Sequence, residues 1–298
     1  MKKEIAIIIP HKGLGDIIFH HSFIKSIYKK HNKKIILFAN KSTQANLIYN
    51  KNKYIKKIVI IDLKRPNIFF YLFKMIKIFL QLYSYKLDII YYTGHSKWHK
   101  IAFRSLSLIH NFKFYYLKNS SKYIINFLTL FLNKRGIEDS FDFNLNIPTI
   151  VDSKILSNFN KFKKPWVFLS IDTSENQIQI PKNLLNKIIL KLKMKYGSIF
   201  INTSIKNQNK FFLIKDDKVI RTSKFNIIEI NYIIKNSKLF IGNESGPAIL
   251  ASLLCKKSLI FLNKNIVPES IMMPNANLRK YFQINKLRHN HKYFLNIL

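Results

Sequence analysis

Residues 7–21, IIIPHKGLGDIIFHH, decide how this chain is read. A run of isoleucines and alanine, Ile5–Ile9, stops at Pro10-His11-Lys12. Two glycines follow, Gly13 and Gly15, and then Asp16 opens a helical stretch that reaches His31. The whole chain of 298 residues holds only seven glycines and fifteen carboxylates. Before Glu138 the carboxylates are Glu4, Asp16, Asp62 and Asp88, and Asp16 alone follows a glycine turn behind an apolar strand. Glycines at a strand-to-helix turn permit positive φ and let another group approach the backbone. A helix start presents unpaired N–H groups suited to anions. The turn is neither a dinucleotide fingerprint, since no third glycine completes GxGxxG, nor a P-loop, since no GK[ST] follows. On this segment alone, the simpler reading is that Asp16 caps the helix while the glycines make the turn.

Outward from that turn the same unit recurs, a short β-rich apolar run followed by a loop and a longer helical stretch. Strands are expected at Ile5–Ile9, Lys34–Phe38, Ile58–Ile61, Leu87–Tyr91 and Phe112–Tyr115. The pattern pauses at about 144–165 and resumes with strands at Trp166–Ile171, Ser198–Asn202, Leu239–Ile241 and Ser258–Leu262. Helices are expected after Pro181, near Asn226–Asn236 and after Gly246. Continuous apolar strands separated by helices imply parallel sheets covered on both faces. The reading is α/β, with two domains, 1–150 and 151–298.

The formal net charge is +36, from 51 basic residues of which six are arginine. Lysine dominance beside abundant Ile and Asn points to compositional drift rather than base readout, which favours bidentate arginine. Attraction to anionic membranes or phosphorylated substrates is the second reading. The single cysteine, Cys255, excludes an intramolecular disulfide and is expected to pack within its helix. No secretory signal is visible, because the first apolar run is about six residues long. Residues 67–85, NIFFYLFKMIKIFLQLYSY, are interrupted by Lys74 and Lys77 and are too short between them to span a bilayer. They read as a crossover helix packed on the sheet, with docking on a membrane surface as the alternative.

A second cluster lies at residues 239–262, LFIGNESGPAILASLLCKKSLIFL. A strand runs into Gly242-Asn243-Glu244-Ser245-Gly246-Pro247 and then into a helix. Pro247 suits the first helical turn. Ser245 and Gly246 can present donors to a phosphate, and Glu244 can accept from a sugar hydroxyl. In an open parallel sheet this loop lies at the carboxyl ends of the strands, where ligands bind.

Together, KGLGDIIFHHSFIKSIYKKH and FIGNESGPAILASLLCKKSLIFL resemble glycosyltransferase family 9, the lipopolysaccharide heptosyltransferases and their relatives. RTSKFNIIEINYIIKNSKLFIGNESG also resembles that family's run-up to its second motif. The resemblance implies a GT-B fold, two Rossmann-like domains with parallel sheets facing an interdomain cleft. The first domain would bind acceptor and the second the nucleotide-sugar. It implies inverting transfer of a sugar to an acceptor hydroxyl, with Asp16 as general base. Gly13, Gly15, His20, His95 and Lys97 are the candidate acceptor contacts. Thr173, Ser174, Lys182, Asn243, Glu244, Ser245 and Gly246 are the candidate donor contacts. No Asp-x-Asp pair occurs, so metal-independent transfer without a cofactor is expected. The expected partners are a nucleotide-sugar, a glycan or glycolipid acceptor and the anionic inner membrane, in a cytoplasmic setting, with no nucleic acid.

The departures are specific. Glu244 stands where the family usually has Asp, Ile249 where it often has His, and Ser22 where a proline often follows the first motif. In the mid-chain phosphate segment, Pro181 matches, while Ile178 and Ile180 fall where the family has Lys and Trp. Donor binding is therefore expected to differ in detail. His95 and His99 have the i, i+4 spacing of a metal pair but no third ligand nearby. A basic non-catalytic module binding polyanions is the alternative function, and an NDP-sugar epimerase a third. A single dinucleotide-binding sheet would favour the epimerase; nucleotide bound in one cleft between two separate sheets would disfavour it.

Overall fold

The computed structural model describes residues 3–62, 68–117, 124–140, 142, 145, 147, 153–171, 180–203, 216–262, 276–289 and 291–298. The chain divides into two compact units, Met1–Leu145 and Asn146–Leu298.

The first unit holds β1 (Glu4–Ile9), α1 (Leu14–His31), β2 (Ile35–Asn40), α2 (Ala45–Ile48) and β3 (Ile55–Ile61). It continues with α3 (Ile68–Tyr83), β4 (Leu87–Tyr92), α4 (Lys97–His110), β5 (Lys113–Tyr115) and α5 (Ile124–Asn133). Its sheet has the order β3-β2-β1-β4-β5, with every pairing parallel. β1 is central, pairing Ile7 with Leu37 on one side and Tyr91 on the other. Ile5–Ile9 is therefore buried on both faces, which is why the run shows no alternation of apolar and polar residues. On one face Met75, Ile78 and Leu82 of α3 and Phe103 of α4 pack over Ile8, Phe38 and Tyr92. α1 packs against α5 through the edge-to-face pair Phe23–Phe131, ring centroids 5.4 Å apart. The Ser22 hydroxyl, at the family's proline position, donates to Asp139 at 2.8 Å. Ser22 thus ties α1 to the segment after α5.

The second unit holds α6 (Ser153–Asn160), β6 (Trp166–Ser170), α7 (Lys182–Lys195), β7 (Ser198–Asn202) and β8 (Val219–Arg221). It continues with α8 (Ile227–Asn236), β9 (Ser237–Asn243), α9 (Gly246–Leu253), β10 (Ser258–Leu262), β11 (Arg279–Gln283), α10 (Ile284–His289) and α11 (His291–Ile297). The sheet order is β11-β10-β9-β6-β7-β8, again all parallel. One face is an aliphatic core of Val167, Leu169, Ile188, Ile199 and Ile241, closed by Phe261 and Phe294. The ring pairs Trp166–Phe200 and Phe168–Phe240 line the other, at 5.0 and 5.8 Å. α8 starts in a full capping box: the Asn226 side chain accepts from Ile228 and Glu229 N–H, and Glu229 accepts from Asn226 N–H at 2.7 Å.

Four expectations need correction. α1 begins at Leu14, two residues before Asp16, with Gly13 as its N-cap. Gly13 has φ −80, and among the described residues the only glycine with positive φ is Gly136, so the opening turn uses no left-handed backbone. Close approach is the reason for Gly13. Cys255 is exposed and lies beyond α9 with φ 52, because α9 ends at Leu253. Strands β8 and β11 were not expected. Each is a short edge strand carrying an arginine, so the continuous apolar signal of a buried strand is missing.

Candidate functional site

In each sheet the strand order reverses once, between β1 and β4 in the first unit and between β6 and β9 in the second. Outside the carboxyl ends of such strands the flanking connections diverge and leave a crevice, the usual ligand position in open α/β sheets. Both glycine–acid segments exit from strands at these reversals.

In the first unit the loop after β1 carries Pro10 to Gly13 and the loop after β4 carries Thr93 to Ser96. Asp16 sits at the third position of α1, where its Oδ2 accepts the Gly13 N–H at 3.1 Å. A Cβ on Gly13 would lie 2.7 Å from that oxygen, so glycine is what lets the carboxylate fold back on the turn. The described residues offer Oδ1 no hydrogen bond. Thr93 N–H donates to Ile8 O at 3.2 Å, fastening the second loop to β1. His11 Nε2 bonds Thr93 O at 3.0 Å, and the Ser42 hydroxyl, after β2, donates to Lys12 O at 2.9 Å.

Three imidazoles surround Asp16. The His11 ring lies 5.5 Å from His20 in a tilted contact and 5.5 Å from His95 edge-on, and His95 lies 4.8 Å from the Phe127 ring. His20 is fully buried, with Nδ1 on Asp16 O at 2.6 Å and Nε2 on Thr93 Oγ1 at 2.9 Å. Burial and the neighbouring His11 lower its pKa to about 3, against the opposing bond to Asp16 O. A neutral ring must donate from Nδ1 to the carbonyl and accept at Nε2 from the Thr93 hydroxyl. His20 thus has no nitrogen left for a substrate; it is a bracing residue. His95 is also lowered, by burial first and then by His11 and Lys100, with Asp16 pulling the other way. Lys97 is exposed at the first position of α4. His99 does not join His95 as a metal pair: it is buried, with Nδ1 2.7 Å from Tyr92 Oη. Among the described residues no group of three or more His, Cys, Asp or Glu could hold a metal ion.

In the second unit, Asn243 ends β9 fully buried and donates from Nδ2 to Ile171 O at 2.8 Å, bridging the strand reversal. Gly242 permits this closeness, since a Cβ there would meet Ser170 O at 2.5 Å. Glu244 N–H donates to Phe261 O, and the Ser245 hydroxyl donates to Asn243 O at 3.0 Å. Ser245 is the N-cap of α9 in extended backbone, with Gly246 and Pro247 in the first turn. Its hydroxyl is turned back on the loop, so the first-turn N–H groups of α9 have no side-chain cap. Lys182 is the first residue of α7; Thr173 and Ser174 lie outside the described residues.

Four residues escaped the sequence reading. Thr93 is buried and links β1, α1 and the β4 exit. Its signal was available, a polar residue directly after an apolar strand in YYTGH. Ser170, Asn202 and Thr222 form a polar floor at the ends of β6, β7 and β8. Asn202 bonds Ser170 Oγ at 3.5 Å, and Thr222 donates to Ile201 O at 3.2 Å. Single polar residues at strand ends carry no motif.

The architecture is an α/β fold of the GT-B kind, two parallel sheets with interleaved helices. No protein-family model matches the sequence, and no curated protein does. Solved structures do match in fold. A family 9 glycosyl transferase from Veillonella parvula superposes with TM-score 0.76 at 12% identity, over 98% of this chain and 89% of its own. ADP-heptose LPS heptosyltransferase II of E. coli gives 0.69 at 10% identity, over 98% of each chain. UDP-GlcNAc 2-epimerase from Methanocaldococcus jannaschii gives 0.60 at 15%, over 99% of this chain and 93% of its own. The two-sheet fold is thus shared with an epimerase as well as with glycosyltransferases.

Proposed function

We propose that the protein is an inverting, metal-independent glycosyltransferase. It would move a heptose or other sugar from a nucleotide-sugar to a hydroxyl of a lipopolysaccharide or other surface-glycan acceptor. The observation carrying this reading is the Asp16 carboxylate, held by Gly13 N–H through one oxygen at the strand reversal of the first sheet. The other oxygen takes the proton of an acceptor hydroxyl as that hydroxyl attacks the anomeric carbon. The bond from that carbon to the nucleoside diphosphate breaks, and the leaving group keeps the electron pair. Its negative charge needs donors, which the first-turn N–H groups of α9 and the lysines of the second unit supply. The absence of any Asp-x-Asp pair in the sequence supports metal independence. Acceptor contacts fall to Gly13, Gly15, His95 and Lys97, and donor contacts to Asn243, Glu244, Ser245, Gly246, Thr173, Ser174 and Lys182. A lipid-borne acceptor brings the protein to an anionic membrane face.

A thermal-shift series with ADP-, UDP-, GDP- and CMP-sugars at fixed salt tests the donor half. One base class should raise Tm with the logarithm of concentration; no class doing so removes the reading. The epimerase is the second reading, favoured by the fold shared with the UDP-GlcNAc 2-epimerase. It predicts an epimerised nucleotide-sugar without any acceptor, where an inverting transferase changes only the anomeric centre, and only on transfer to an acceptor.

A further inference from the structure

The outer faces of α3 and α4 carry an apolar surface that no sheet or neighbouring helix among the described residues covers. α3 buries Met75, Ile78 and Leu82 against the sheet and turns Phe73, Ile76, Leu80 and Tyr83 to solvent, each more than half exposed. The spacing i, i+3, i+7, i+10 makes one stripe along the helix. α4 repeats the arrangement: Phe103 is buried, while Trp98, Ile101 and Leu108 are 68%, 58% and 82% exposed. The two helices are neighbours, joined by Phe79–Phe103 at 5.8 Å and Tyr83–His110 at 5.1 Å. The stripes therefore form one patch, larger than scattered surface leucines would give.

Charge selects the occupant. Between Asp62 and Glu138 the chain has thirteen lysines and arginines and one carboxylate, Asp88. Within α3 and α4 there is no acid at all, and Lys77, Lys97 and Arg104 are exposed. An apolar stripe with aromatic residues and a basic surround matches the interface of an anionic bilayer, where rings sit at headgroup level and lysines meet phosphates. No helix among the described residues is long and apolar enough to cross a membrane. We infer that the α3–α4 face docks peripherally on an anionic lipid surface. α4 begins two residues after His95, so the stripe starts beside the first-unit candidate site.

The inference does not depend on sugar transfer, and its test contains no nucleotide-sugar. The purified full chain is floated with phosphatidylcholine vesicles, with and without phosphatidylglycerol. It is compared with a variant carrying Phe73→Ser, Leu80→Ser, Trp98→Ser and Leu108→Ser. Circular dichroism and melting, expected to be unchanged for exposed positions, control for folding. Preference for the phosphatidylglycerol vesicles, weakened about tenfold or more in the variant, supports the proposal. Equal binding by the variant overturns it and leaves charge alone as the cause of binding. Absence of vesicle binding overturns it as well, and a dimer lost in the variant would then identify a second copy as the occupant.

Discussion

His20 Nδ1 lies 2.6 Å from the main-chain oxygen of Asp16, one helical turn earlier. The opposite ring nitrogen lies 2.9 Å from Thr93 Oγ1 at the exit of β4. One buried, neutral imidazole therefore ties the first turn of α1 to the neighbouring strand. The side chain of Asp16 is held separately, by Gly13 N–H. Backbone and carboxylate of the proposed base are fixed by different partners, so each can be perturbed alone.

Asp16→Asn keeps an oxygen for the Gly13 N–H and removes the proton acceptor. Sugar transfer should fall by roughly a hundredfold to ten-thousandfold. Melting temperature and nucleotide-induced stabilisation should stay near those of the parent. Initial-rate assays beside thermal shift separate the two, and a fully active variant would end the base assignment.

Gly13→Ala places a methyl group 2.7 Å from Asp16 Oδ2, and the carboxylate must swing away. Alanine is also the poorer N-cap, at a cost of about 1 kcal/mol. Transfer should therefore drop far more than stability, with the loss in kcat. A variant with unchanged kcat would show that the position of the carboxylate does not matter.

The sheets were legible because central strands buried on both faces must be continuously apolar, as Ile5–Ile9 and Leu259–Leu262 are. The same physics hid β8 and β11. VIR and RKYFQ are edge strands, half solvated, and nothing in three or five residues separates them from loop. At the site, the paired glycine–acid loops were visible because glycine is so scarce here that each cluster stands out. Of the two reasons for glycine expected there, the close contact holds at Gly13 and the positive φ does not. The role of His20 could not be seen. Its burial depends on Thr93, which is 73 residues away in sequence and adjacent only once β1 and β4 pair.

Gly242→Ala tests the reversal in the second sheet. The added Cβ would meet Ser170 O at 2.5 Å and Ser170 Cβ at 2.9 Å, both on β6, where backbone cannot yield cheaply. The strain should cost about 1–3 kcal/mol of unfolding free energy. It should also loosen the Asn243–Ile171 bond, weakening nucleotide-sugar stabilisation. Urea denaturation of parent and variant measures the first effect; identical midpoints would mean the strands separate without penalty.

Acid should unfold the protein earlier than its few carboxylates suggest. Burial lowers His20 to about 3 and His21 to about 4, against 6.5 for the ordinary imidazole. Both are nearly inaccessible, at 0% and 3% exposure. Above pH 6.5 each ring is neutral whether folded or unfolded, and neither favours unfolding. Below it the unfolded chain takes up protons that the folded rings refuse, so stability falls with pH. The loss continues until pH approaches the folded values, at a limiting slope of about 1.4 kcal/mol per pH unit for each histidine. Half-buried His31 and the more exposed His95 are lowered too and add in the same direction. Urea midpoints taken between pH 7 and 4.5 should decline steadily, and His21→Gln should reduce the slope by about one proton. A flat profile across that window would contradict the burial of these rings in their neutral form.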